Sequence, residues 1–197
     1  MLKELYYKIT SILIKPKVAS MGKDCKIRMK GRILSGKYVH LADAVEIENN
    51  YTIAVYPSFG GKDNPVLNDP DKGVWLGERG SYNRNLTIYC ADRVFIGKDV
   101  LFGSNILVTD NEHGTNPEGN VSYRHQPLNA REVSIGNGCW IGEGAIILSG
   151  TSIGEKSIVA AGAVVKGDFP GMSIIAGVPA KIIRIWSSEK KQWIKPE

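Results

Sequence analysis

Three histidines, His40, His113 and His125, have the side-chain type whose ordinary titration falls near neutrality. An imidazole at that poise can take the proton of a hydroxyl as its oxygen becomes a nucleophile, then return it to a leaving group. His113 stands in Thr109-Asp-Asn-Glu-His-Gly114, beside Asp110 and Glu112. Either carboxylate could orient the ring and stabilise its protonated form, or simply solvate a loop. His40 precedes Leu41 at a predicted corner and reads as a solvated surface residue. His125 follows Arg124 and reads equally as a surface residue or an acceptor contact. No two of the three are closely spaced, so the set required of a three-histidine zinc enzyme is not suggested and no metal is expected.

The elements that position these groups follow from a repeat. Ile135, Ile141, Ile147, Ile153, Val159 and Val165 stand six residues apart without a miss. Two residues ahead of each stand Val133, Cys139, Ala145, Thr151, Ser157 and Ala163, most of them small. Ile96, Phe102 and Val108 continue the first column upstream, with Val94, Val100 and Ile106 in the second. A weaker version runs through Ile27, Ile33, Val39 and Val45, alongside Leu41, Ile47 and Ile53. A period of six is neither helical nor plainly alternating; it suits a short strand plus a corner, coil upon coil. The fold expected is all-β: a parallel β-helix in which the aliphatic column points inward and the small column fits near the corner. A β-sandwich would show turn signals every 8–12 residues instead.

Two segments interrupt the repeat. Residues 56–85 are rich in Gly, Pro, Asn and Asp and read as a projecting loop; residues 109–132 form a second and contain His113. At the N-terminus, residues 1–17, Leu2, Leu5, Tyr6, Ile9, Ile12 and Leu13 follow helical spacing. This reads first as a helix covering the open end of the solenoid. Lys3, Lys8, Lys15 and Lys17 also allow it to lie on a membrane surface. Residues 185–197, with Trp186 and Trp193, read as a short helix or tail after a solenoid domain spanning 18–184.

The chain is long enough for one domain. Its net charge of +5 is compatible with a phosphate-bearing ligand or an anionic surface. No basic stripe with interleaved aromatics points to nucleic acid. Cys25, Cys90 and Cys139 are far apart and odd in number, which argues against a disulfide framework and for a reducing, cytoplasmic setting.

The stretch Ile135-Gly-Asn-Gly-Cys-Trp-Ile-Gly142, continuing to Gly154, and the stretch Ala176-Gly-Val-Pro-Ala-Lys-Ile-Ile-Arg184 resemble the hexapeptide-repeat acyltransferases. Within them the chain resembles the maltose and galactoside O-acetyltransferases. It is more similar still to the O-antigen and capsular polysaccharide O-acetyltransferases, whose loop resembles Thr109–Gly114. The resemblance implies a left-handed parallel β-helix, usually a homotrimer. It implies acetyl-CoA as co-substrate and transfer to a sugar hydroxyl, free or lipid-linked, in surface polysaccharide biosynthesis, in the cytoplasm or at the inner face of the membrane. His113 would be the catalytic base, with Asp110 as its orienting carboxylate. The backbone N–H of Gly142 or Glu143 would meet the oxyanion. Trp140 would wall the pantetheine channel, and Ala161 (through main chain), Lys166, Lys181 and Arg184 would hold CoA, the three cations meeting its phosphates. Asn83 and Asn85 would bind the acceptor, an Asn amide both donating and accepting toward a diol. The chain departs from the family where Lys166-Gly167 replaces Thr-Lys and Lys181 replaces Arg. An amino sugar, serine or an antibiotic is an alternative acceptor. A non-catalytic binding module and a γ-type carbonic anhydrase on the same solenoid are the other readings weighed.

Overall fold

The computed structural model describes residues 2–196; Met1, Glu197 and the side chain of Lys3 lie outside the described residues. The chain winds into three sheets, A, B and C, of seven, nine and six strands, parallel throughout except for the last two strands of B. Each coil contributes one short strand to each sheet. One coil reads Arg93–Ile96 (A), Leu101–Phe102 (B), Leu107–Thr109 (C); later coils read Val133–Ile135, Trp140–Ile141, Ile146–Ile147 and Ser152–Ile153, Ile158–Val159, Val164–Val165. The predicted columns are the interior. Ile135, Ile141, Ile147, Ile153, Val159 and Val165 are all buried, as are the small residues two places ahead. Cys139 and Thr151 satisfy their polar atoms on the next coil, on Gly154 O at 3.2 Å and Val165 O at 3.1 Å. All three cysteines are free thiols in this core.

Coil length explains where the repeat was easy to see. Trp140 pairs with Ile158, 18 residues on, which is three hexapeptides. Ser81 pairs with Leu101 and Ser20 with His40, 20 residues on. The two additional residues per coil shift the phase, so Val39 and Val45 fall in the small-residue column while Leu41 and Ile47 take the aliphatic one; Val39 pairs with Val74 and Leu41 with Leu76.

Three expectations change. The interruption at 56–85 is shorter than read: only residues 56–72 project, as a hairpin of Ser58–Phe59 with Lys62–Asp63 followed by a 3-10 turn, Pro65–Asn68. Gly73–Leu76 and Ser81–Tyr82 are rungs of sheets A and B. An aromatic hid the second of them. Tyr82 occupies the inward aliphatic position, fully buried, with its ring 4.9 Å from that of Phe102. The C-terminal segment is not a helix. Ala180–Ser187 runs antiparallel beside Ser173–Gly177, and Gln192–Ile194 pairs onto it, bringing Trp186 and Trp193 edge to face at 5.5 Å. Four β-branched or aromatic residues in Ile182-Ile183-Arg-Ile185-Trp186 favour strand over helix there, so the sheet continues past residue 184. His40 is half-buried and not a solvated corner residue: its ring stacks on Trp75 at 3.7 Å, and burial lowers its pKa.

At the other end, helix α1 (Leu2–Ile14) covers the first coil. Its own Thr10 and Ile14 are buried on the protein side, and Ser11 Oγ donates to the Cys25 carbonyl at 3.1 Å.

Candidate active site

Since strands follow the order A, B, C around the coil, the prism has three edges, A/B, B/C and C/A. Both insertions leave from the C/A edge. The second one begins as a two-stranded arm, Asn111–His113 paired antiparallel with Leu128–Ala130, with His113 opposite Leu128 at its outer end. The segment beyond is held by buried Gln126, whose amide donates to Asn116 O at 2.8 Å and accepts from Asn116 N–H at 2.9 Å. His113 is exposed. The ring of Phe59, from the first insertion, lies 5.2 Å from its centroid. Glu112 reaches back to Lys166, at the end of a sheet C strand, with Nζ–Oε1 at 3.0 Å. A cleft of about 690 Å³ separates the two insertions, lined by Tyr56, Phe59, Asn64, Val121, His125 and Leu128 among others.

Asp110 does not orient His113. Its carboxylate is fully buried and accepts from the N–H groups of Ala91 and Asp92 and from the Asn111 amide, all at 2.8 Å. Its own carbonyl accepts from Arg131 N–H at 2.7 Å and Ser149 Oγ at 2.8 Å. Asp110 is therefore the foot of the arm, tying both of its ends to the coils on either side. Burial pushes its carboxyl above the usual range, against the pull of the donors around it.

The B/C edge carries the other group of candidates. Asn85 sits at a corner in the left-handed region, φ 63°, in line with Asn50 and Asn105; Gly144 and Gly162 take over in later coils. Asn is among the few side chains that accept this backbone. The Asn85 amide donates to Asn105 Oδ1 at 2.7 Å, and Asn105 donates to Glu143 at 3.0 Å. Asn83 is exposed next to them. The Gly142 N–H is engaged with Val159 O at 2.8 Å, which removes it as a free oxyanion donor. The N–H groups of Glu143 and Ala161 make no hydrogen bond among the described residues. Trp140 is half exposed on the outer face of sheet B, between Leu101 and Ile158. Lys181 pairs in register with Ala176 and Arg184 with Ile174, both on the C-terminal hairpin.

A match to the family described as bacterial transferase hexapeptide (six repeats) covers residues 132–167. The Saccharomyces cerevisiae protein named "Putative acetyltransferase YJL218W" is 34% identical over 166 residues, 81% of this chain and 82% of that one. The chain belongs to the hexapeptide-repeat acyltransferases. The Escherichia coli K12 protein named "Putative lipopolysaccharide biosynthesis O-acetyl transferase WbbJ" is 34% identical over 128 residues, 62% of this chain; the match spans 65% of that relative's length, just under two thirds. Among solved structures, a galactoside acetyltransferase in complex with coenzyme A aligns over 96% of this chain and 78% of its own, with TM-score 0.63 and 23% identity. AntD, an N-acyltransferase from Bacillus cereus in complex with dTDP-4-amino-4,6-dideoxyglucose and coenzyme A, aligns over 92% and 91%, with TM-score 0.71 and 17% identity. These likenesses establish the fold as the left-handed parallel β-helix of this class.

The acyltransferase chain thus divides its candidates. His113, Glu112, Lys166 and Phe59 gather at the C/A edge. Asn83, Asn85, Glu143 and Ala161 gather at the B/C edge, with Lys181 on the strand beside it. The width of sheet C, roughly 17 Å for five residues of strand, separates the two groups. Phe59 and Asn105 were not picked out from sequence. Phe59 lay in an insertion whose contacts the repeat does not define. Asn105 was readable as the residue one 20-residue coil beyond Asn85.

Proposed function

We propose that this protein is an acetyl-CoA-dependent O-acetyltransferase acting on a sugar hydroxyl, in the assembly of a surface polysaccharide on the cytoplasmic side of the membrane. The observation that carries the reading is the exposed imidazole of His113, held on a pinned arm at the edge of an acyltransferase solenoid. The named O-acetyltransferase relative and the coenzyme A in both related structures support it.

In this mechanism His113 takes the proton of the acceptor hydroxyl as its oxygen attacks the thioester carbonyl. The tetrahedral oxyanion is met by the free N–H of Glu143. Collapse breaks the C–S bond, and the leaving thiolate recovers the proton from the imidazolium, yielding ester and CoA. Ala161, Lys181 and Arg184 hold the CoA arm along the B/C edge, with Trp140 beside the pantetheine. Asn83, Asn85 and Phe59 face the acceptor. Since the two groups lie on different edges, the site closes only when the C/A edge of one subunit meets the B/C edge of the next. Three subunits related by a threefold axis close that C/A-to-B/C contact into a ring, so the working form is a homotrimer with three shared sites. In that arrangement Lys166 meets CoA bound to the neighbour while staying paired with Glu112.

The test is thiol release from acetyl-CoA against a panel of mono- and oligosaccharides, with wild type and His113→Ala side by side and light scattering of both. Acceptor-dependent release by a wild-type trimer, lost in the variant, supports the proposal. A monomer, or near-normal turnover by folded His113→Ala, overturns the shared site or the base.

A further inference from the structure

The aliphatic stripe of helix α1 does not face the protein. Thr10 and Ile14 turn inward, and Tyr6 Oη accepts from the Met29 N–H at 3.0 Å. That leaves Leu2, Leu5, Ile9, Ile12 and Leu13 between 46% and 82% exposed. At helical spacing all five fall within an arc of about 100°. A helix anchored by one face and aliphatic along another presents a contiguous patch with no partner among the described residues.

The charge around this patch is lopsided. Residues 1–40 contain ten Lys and Arg against only Glu4 and Asp24, whereas the whole chain is +5, so all that follows is net acidic. Lys26 and Arg28 are answered by Glu46 and Glu48 in the next coil. Lys8, Lys15, Lys17, Lys23 and Lys30 form no ion pair among the described residues. Lys8 and Lys15 flank the groove that runs beside Ile12.

We propose that the N-terminal end of the solenoid docks on an anionic lipid bilayer, with the stripe of α1 in the headgroup–acyl boundary and the free lysines on the headgroups. Aliphatic area and cationic flank are the two terms that hold an amphipathic helix at such a surface. No helix of the described residues is long and apolar enough to cross a membrane, so the contact lies in the plane of the surface. One such helix binds weakly. The proposed trimer presents three at the same end, and their linkage raises residence on the bilayer without new contacts. Docking there brings the transfer site to acceptors carried on a lipid; this last step rests on the acetyltransferase reading, the docking itself does not.

The experiment is co-sedimentation of the full-length protein with phosphatidylcholine vesicles, with and without phosphatidylglycerol. The wild type is expected to pellet with the anionic vesicles, to stay in solution with pure phosphatidylcholine, and to be released by salt. Ile9→Asp with Ile12→Asp lowers the bound fraction at least about tenfold, and Lys8→Glu with Lys15→Glu at least about threefold. Both double variants keep wild-type circular dichroism, subunit number and thiol release with a soluble acceptor. His113→Ala binds vesicles like the wild type, so loss of chemistry and loss of docking read separately. Wild type that stays in solution with anionic vesicles overturns the proposal. So does equal pelleting of both double variants, or a change of subunit number in Ile9→Asp/Ile12→Asp without lipid, which would assign the stripe to another copy of the chain.

Discussion

Replacing Asp110 separates a structural anchor from a catalytic partner. In Asp110→Ala, the N–H groups of Ala91 and Asp92 lose a carboxylate acceptor that each reaches at 2.8 Å, and Asn111 loses its side-chain partner. A buried donor left without a partner costs about 1–3 kcal/mol. Two backbone donors would give about 2–6 kcal/mol, but relief from burying the carboxylate offsets part of this, and Asp92 is only half-buried. A net loss of about 3 kcal/mol is expected, which for a chain of this size lowers Tm by roughly 6–12 °C. Asp110→Asn keeps the shape and one acceptor oxygen while turning an NH2 toward the other donor, so it should lose about 1–2 kcal/mol. The arm that carries His113 is rooted at this residue. Both variants should therefore lose kcat in the order in which they lose stability, and hydrogen exchange of residues 111–130 should quicken in the same order. Calorimetry, thiol release and exchange on the three proteins check this. An Asp110→Ala enzyme that melts with the wild type yet is inactive would refute the anchor and return Asp110 to the chemistry.

Three further outcomes follow from the same geometry. Burial raises the folded pKa of Asp110 above its unfolded value near 3.9; the associated stability is present below that unfolded value and is lost as pH rises through the folded one. The wild type should thus gain on Asp110→Asn as pH falls from neutral toward about 4.5, read as a widening gap between urea midpoints; a constant or narrowing gap contradicts it. A Cβ on Gly142 would come 2.6 Å from Ala161 N and 2.8 Å from Val159 O, so Gly142→Ala should cost about 1–3 kcal/mol by forcing two coils apart, measured by urea unfolding, and an unchanged midpoint would count against the packing. Asn85→Ala should cost about 1 kcal/mol because its φ is 63°, while Asn85→Gly should not; if both nonetheless raise KM for the acceptor alike, the amide is a ligand, and if Asn85→Gly is kinetically silent it is only a corner.

The sequence revealed the solenoid because its interior is a one-dimensional constraint. Each coil must present an aliphatic residue at the same three places, so Ile135 through Val165 repeat without a miss. What departed from that constraint was harder to read. Tyr82 fills an aliphatic position with a ring and masked a rung. The C-terminal hairpin answers to no repeat, only to local β-propensity around Ile182–Trp186. The helical period of α1 was correct, but periodicity says that a helix has an apolar face and not which way it turns. Here Tyr6, Thr10 and Ile14 take the protein side and leave Leu2, Leu5, Ile9, Ile12 and Leu13 outside. The Thr109–Gly114 loop singled out His113 and Glu112 as candidates, but not what surrounds them in space. Asp110, adjacent in sequence, points into the coil because a strand end turning into an arm needs its carboxylate on Ala91 and Asp92, and Phe59 arrives from an insertion some fifty residues upstream.

The same constraint explains why the insertions sit where they do. Inside a rung, an added residue would flip every following side chain to the wrong face. At a corner, length can be added without disturbing the register: Ser81 still pairs with Glu46 across the first insertion, and Leu101 with Trp140 across the second. Both insertions use the C/A corner, so one edge gains every projecting group and the B/C edge stays a bare ladder of Asn and Gly corners. In the proposed mechanism the C/A edge supplies the proton acceptor and the B/C edge the free N–H groups, so neither edge completes the reaction alone. For the proposed trimer, a substitution that weakens the meeting of these two edges, such as Arg84→Glu at the exposed B/C corner, should therefore remove thiol release in proportion to the trimer lost, with light scattering giving the subunit number beside it.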